Sequence, residues 1–98
     1  MKSYKVVLEG WPITIDIDDE RQRVRFVVTR FVEAGDPRAA REQAISMVRS
    51  DPKLRRSADA WEIEQMNVTV GRAEEIPTDE VPAIQPGFAF FPFEGMAH

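Results

Sequence analysis

A strand that turns directly into a helix is the feature that most constrains this chain. Residues 24–32 are rich in β-branched and aromatic side chains, the composition of a well-packed strand. Asp36 and Pro37 follow and favour a helix start, because the carboxylate can accept from a free amide and proline has no amide to leave unpaired. The next apolar side chains have helical spacing: Ala40, Ala44, Met47 and Val48. We therefore predict one main helix over residues 37–50 that packs on a sheet.

A second Asp-Pro pair, Asp51-Pro52, predicts where this helix ends, because a residue before proline avoids the helical region. Asp51 can also cap a short turn through Leu54 and Arg56. Apolar and polar side chains then alternate over residues 61–64 and again over 66–70, which predicts a third strand with a bulge near Gln65. The charged residues 71–76 are expected to end that strand.

The first part of the chain predicts a hairpin. Residues 3–17 alternate between apolar and polar side chains, as expected for a strand with one buried and one wet face. The phase changes at Gly10-Trp11-Pro12, where a bulge would return both apolar sets to the same side of the sheet. The polar residues 18–22 then connect this strand to residues 24–32 in an antiparallel pair.

The end of the chain is first proline-rich and then aromatic. Residues 77–98 begin with an irregular loop and continue into 88–93, which holds four of the six phenylalanines. A solvated segment this apolar would be a liability, so we expect it to pack as a short edge strand or strap. The predicted fold is one α+β domain over residues 1–98. Its antiparallel sheet has three to four strands in the order β-β-α-β, with a short C-terminal aromatic strand and one main helix on one face.

Composition and motifs argue against several functional classes. Cysteine is absent, which excludes a disulfide framework, a thiolate nucleophile and a zinc–cysteine site. We find neither an apolar run of signal-peptide length nor one that could span a bilayer, and expect a cytoplasmic protein without a membrane partner. The single histidine, His98, supports neither a catalytic triad nor a metal site. We expect no enzyme, and no catalytic, metal or cofactor residues.

Paired carboxylates are the remaining place where chemistry could lie. Glu62 and Glu64 are two apart on the predicted third strand and would project together, as would Asp16 and Asp18. Such pairs can act in acid–base catalysis or hold a hard cation. The solvent side of an amphipathic strand also explains them and is the explanation we favour.

Arg30 interrupts the otherwise apolar face of the strand at residues 24–32 and therefore needs a partner. We expect an ion pair with Glu9 or Glu64 from a neighbouring strand, with an anion-binding role as the alternative. Basic side chains near the end of the helix extend the possible anion-binding set, which is Arg30, Arg49, Lys53, Arg55 and Arg56. No aromatic residues interleave with them and the net charge is −4, so nucleic acid is not an expected partner.

The second face of the strand at residues 24–32 is half apolar. Together with the aromatic tail, it gives the chain more apolar surface than one helix can cover. The possible interface residues are Val27, Phe31, Phe88, Phe90, Phe91 and Phe93. They suggest a non-enzymatic protein-interaction or regulatory module that binds a protein partner or itself as a homodimer. The alternative is an acidic inhibitor or immunity-type protein that neutralises a basic toxin or nuclease. Its contact residues would be Glu62, Glu64, Glu74, Glu75, Asp79 and Glu80.

Three segments together resemble a family of small bacterial α+β proteins with no assigned activity. They are residues 28–37, residues 48–54, and the aromatic segment Gly87-Phe88-Ala89-Phe90-Phe91-Pro92. The resemblance covers about half of the chain, and the tail departs from the family pattern, which ends in Tyr-Pro and acidic residues, at Phe91-Pro92-Phe93-Glu94. The resemblance implies the fold and a bacterial source but transfers no site residues.

Overall fold

The computed structural model describes residues 1–93, so the predictions that involve Glu94 and His98 lie outside the described residues. The elements in chain order are β1 (Lys2–Ile17), β2 (Glu20–Ala34), α1 (Pro37–Arg49), α2 (Pro52–Ser57), α3 (Ala60–Gln65), β3 (Asn67–Ile76), a 3-10 turn (Thr78–Glu80) and β4 (Ala89–Pro92). The strands of this region form one antiparallel sheet in the order β3-β1-β2-β4. The predicted α+β fold class is confirmed.

The predicted hairpin is present. Strands β1 and β2 pair antiparallel from Lys2 opposite Ala34 to Ile17 opposite Glu20. Asp18 and Asp19 make the turn with φ of 52° and 67°, a left-handed conformation that aspartate tolerates better than most residues. The β1–β2 register shifts between Gly10 and Ile13, which confirms the bulge predicted there. As a result, the apolar side chains before and after the bulge face the same core.

The helical region follows the two Asp-Pro pairs. Asp36 accepts a hydrogen bond from the Ala39 amide at 2.8 Å and begins α1, whose buried residues are Ala40, Ala44 and Val48. Asp51 accepts from the amides of Lys53 and Leu54 at 2.9 and 3.1 Å and begins α2. Among the helices of residues 1–93, none is both long and apolar enough to cross a membrane.

The predicted strand over residues 61–64 is wrong, because Ala60–Gln65 forms α3. Four alternating residues fit one helical turn as well as a strand, and here Ile63 is buried in the core. The phase change near Gln65 is therefore the junction between α3 and β3. The third strand also continues through the charged residues 71–76, and its register shift lies opposite Val7 and Leu8. Charged side chains are tolerated there because β3 lies at the sheet edge.

The core lies between the helices and one side of the sheet, which we call the inner face. Residues at even positions of β2, from Val24 to Ala34, point to this side and are buried. Opposite Phe26, Gly10 leaves the space that the aromatic ring fills. The close approach of ring and backbone accounts for a glycine in the middle of a strand.

We expect Gly10→Ala to lower the free energy of unfolding by about 2 kcal/mol, as typical overpacking does. The added Cβ would overlap Cζ of Phe26 and lie 2.6 Å from its Cε2. Urea denaturation would measure the loss. Gly35→Ala is the matched control, since its Cβ would meet nothing within 4 Å and its φ is not positive. Equal stability of the two variants would show that the packing of the Phe26 ring does not require glycine at position 10.

Candidate functional site

The end of the described chain forms a strap, residues 84–92, along the free edge of β2. Strand β4 pairs antiparallel with β2, from Val27 opposite Ala89 to Val24 opposite Pro92. Further along the same edge, the Gln85 side chain takes the place of a strand. Its Oε1 accepts from the Phe31 amide at 3.0 Å and its Nε2 donates to the Phe31 carbonyl at 2.8 Å. The tail thus packs on its own domain, which is one of the two predicted alternatives.

The aromatic residues of the tail are divided between the two sides of the sheet. On the inner face, Phe88 and Phe90 pack edge-on against Phe26, with ring centroids 5.1 and 6.2 Å away. Phe91 lies opposite Arg25 in the strand register, and the Arg25 guanidinium lies 4.6 Å from its ring centroid. The predicted interface residues therefore do not form one surface.

The side of the sheet that faces away from α1 is the outer face. Register and burial place four apolar side chains on it: Val7, Val27, Phe31 and Phe91. The first three are half-buried, and Phe91 is 39% exposed. Charged residues lie between and beside them: Lys5, Glu9, Arg25, Arg72 and Glu74. Within residues 1–93 the core helices pack on the inner face, and on the outer face Ser3 is buried and hydrogen-bonded to Thr78 of the 3-10 turn at 3.2 Å. The apolar group of the outer face keeps part of its surface exposed.

Arg30 lies on the inner face, 4% exposed, and pairs with Asp51 at 3.0 Å. It also donates to the carbonyls of Thr29 and Pro86, at 2.8 and 2.6 Å, and its guanidinium lies 5.1 Å from the Phe88 ring centroid. It therefore ties the start of α2 to the strap. An ion pair of Arg30 was predicted, because a buried guanidinium requires a charge partner.

The predicted partners of Arg30, Glu9 and Glu64, are both wrong. Glu9 lies on the outer face, where its carboxylate is 3.7 Å from Arg25, and Glu64 is exposed on α3. The prediction placed the partner on a neighbouring strand, whereas the structure supplies it from the start of a helix. Asp51 caps α2 with Oδ1 and pairs with Arg30 through Oδ2.

The remaining predicted anion-binding residues separate into two groups. Arg49 donates to the carbonyls of Ile63 and Met66 at 2.6 and 3.2 Å, and thereby caps the end of α3. Arg55 donates to the Arg49 carbonyl at 2.9 Å. Lys53 and Arg56 are exposed instead and line a cleft together with Arg30.

This cleft lies between α2 and the strap and has a volume of about 370 Å³. Its walls are formed by Arg30, Asp51, Pro52, Lys53, Arg56, Ile84, Gln85, Pro86, Gly87 and Phe88. A second cavity of about 300 Å³ shares Lys53, Gly87 and Phe88 with it and extends towards Leu54 and Phe90. One end of this combined space is thus basic and the other is apolar.

Glu62 and Glu64 do not project together as the predicted strand would have placed them, because residues two apart on a helix do not face each other. Glu62 accepts from the Thr14 amide and hydroxyl, at 3.0 and 3.1 Å, and so holds α3 on β1. Among residues 1–93, no group of three or more acidic, histidine or cysteine side chains is arranged to hold a metal ion. The structure gives Glu62 a structural role.

No family model matches the chain, and no curated protein and no solved structure matches it significantly. The resemblance to the bacterial α+β family therefore stays a prediction.

Proposed function

We propose that the protein is a non-enzymatic interaction module that binds a second copy of itself through the outer face of its sheet. The observation that carries this proposal is the partly exposed apolar group on that face, Val7, Val27, Phe31 and Phe91. Contiguous apolar surface framed by polar residues is typical of protein interaction sites. The proposal also keeps the sequence-based expectation of a cytoplasmic protein, which suits a chain without cysteine.

The outer face is large enough for a dimer interface. Three strands about 4.8 Å apart, each extending roughly 33 Å over some ten residues, together with the short β4 (Ala89–Pro92), give an area on the order of 500 Å². A standard interface buries about 800 Å² per partner, with a few apolar residues at its centre and polar residues around them. The size supports a face-to-face dimer with a modest interface.

The charges of the outer face favour a second copy over a partner whose surface charges all have the same sign. Around the apolar group this face has three basic residues and two acidic ones: Lys5, Arg25, Arg72, Glu9 and Glu74. Under a twofold axis, each copy can offer acids to the bases of the other. The free edge of β3 is a poorer dimer contact, because the register shift and the charges of that strand hinder edge pairing.

The inhibitor hypothesis has less support. Its six carboxylates lie on α3, on β3 and on the 3-10 turn. Glu62 is bound to Thr14, while Glu74 and Glu75 lie 3.9 and 3.8 Å from Arg72 and Lys2. A single acidic contact surface is therefore weakly developed, and the inhibitor function remains a prediction.

We expect Val7→Lys and Phe31→Lys each to weaken self-association at least about tenfold, because they place an unpaired charge at the centre of the proposed contact. Light scattering coupled to size exclusion, over a wide range of concentrations, would measure the mass of each protein. The intact chain should approach twice its monomer mass of 11.2 kDa. Gln43→Lys, on the exposed side of α1, adds the same charge and should leave association unchanged.

Two results would contradict the proposal. One is an intact chain that stays monomeric at every concentration. The other is a dimer that both outer-face variants leave intact while their circular dichroism and unfolding remain those of the unmodified protein. A tail truncation is a poorer test, because the strap contributes Phe88 to the core.

A further inference from the structure

The cleft between α2 and the strap has unpaired positive charge. Arg30 is neutralised by Asp51, whose carboxylate also accepts from two amides of α2. Lys53 and Arg56 form no ion pair within residues 1–93. The walls of the cleft therefore have a net charge of two positive units, on a chain whose net charge is −4. Such a local reversal of sign concentrates anions at this place.

The space next to these charges is apolar. The second cavity borders the first at Lys53, Gly87 and Phe88, and its far wall is formed by Leu54 and Phe90. Phe90 is 37% exposed and stacks on Phe88 with a centroid distance of 5.8 Å. The first cavity alone is already within the size range of small-molecule sites. A ligand that spans both cavities would place an apolar body on these rings and a charged group near Lys53.

The hydrogen bonds of the cleft narrow the choice of ligand further. Both polar groups of the Gln85 side chain are used by the Phe31 backbone. Arg30 is occupied by Asp51 and by two carbonyls. A ligand must therefore take its polar contacts from the flexible, exposed Lys53 and Arg56, which recognise negative charge.

We infer that this cleft binds a small organic anion with an apolar body, such as an aromatic sulfonate or a medium-chain carboxylate. Lys53 and Arg56 bind the anionic group, and Phe88 and Phe90 contact the apolar body. Inorganic phosphate would use the charges but leave the apolar end empty. This inference is independent of the proposed self-association, because the cleft and the outer face share no residues.

The test is a fluorescence titration of the full chain with anilinonaphthalene sulfonate, an aromatic anion. We expect saturable binding, and expect Lys53→Glu combined with Arg56→Glu to weaken it at least about tenfold, since two attractive charges become repulsive. Arg38→Glu combined with Arg41→Glu changes the net charge equally on the exposed side of α1 and should bind like the unmodified chain. Competition by decanoate should displace the probe, whereas inorganic phosphate should not.

A second variant tests the site without changing its charge. Gly87 lines both cavities, and a Cβ there would meet nothing within 4 Å, so Gly87→Leu should fold normally and fill the cleft. Amide NMR should show probe-induced shifts at residues 51–56 and 84–90 in the unmodified chain, and not in this variant. Three results would each overturn the inference. The two charge variants could bind the probe equally, the shifts could be confined to the outer face, or the unmodified chain could fail to bind the probe.

Discussion

Asp51→Asn is expected to lower the free energy of unfolding by about 3 kcal/mol, because it leaves a buried guanidinium without its charge partner. Arg30 is 4% exposed and the Asp51 side chain is 17% exposed, so water can replace little of the lost interaction. The asparagine oxygen can still accept from the amides of Lys53 and Leu54, so the helix cap is kept. The loss therefore measures the ion pair and not the cap.

Urea denaturation of three variants would separate these contributions. Asp36→Asn makes the same change at the start of α1, where the aspartate acts as a cap, and should cost less than about 1 kcal/mol. Arg30→Met combined with Asp51→Asn removes both charges and should be more stable than Asp51→Asn alone, since no unpaired charge remains. Equal losses for the Asp36 and Asp51 variants would refute a stabilising role for the pair.

Phe26→Ala is expected to be the most destabilising of the changes considered, with a loss of about 4 kcal/mol. The ring is completely buried, fills the space above Gly10, and is in edge contact with Phe88 and Phe90. Its removal would leave a cavity and also detach the aromatic part of the strap from the sheet. Urea denaturation would measure the loss, and hydrogen exchange of the β4 amides would follow the strap directly.

The matched control for Phe26→Ala is Phe91→Ala, the same substitution on the outer face. Phe91 is 39% exposed and contacts the Arg25 guanidinium, so we expect a loss below about 1 kcal/mol. Similar losses for the two substitutions would mean that the inner and outer rings of the tail contribute alike. That result would contradict the division of the tail described above.

Features that depend on neighbours along the chain could be predicted from the sequence. The hairpin, its bulge at Gly10-Trp11-Pro12 and the two helix starts at Asp-Pro all follow from local rules: side-chain alternation, turn residues and capping. The edge position of the aromatic tail was also predictable, because Pro92 restricts it to an edge and its apolar content requires cover. From these, the α+β class follows.

The remainder was decided by contacts between residues distant in the sequence. Four alternating residues at 61–64 fit a strand or a helical turn, and the choice was made by burial of Ile63 and by the bond of Glu62 to Thr14. The pairing of Arg30 with Asp51 required the start of α2 to lie over β2. A charged residue in an apolar pattern indicates that it needs a partner, but the sequence does not show which carboxylate will lie close to it. Pairing energy depends on distance in space, which only the packed chain determines.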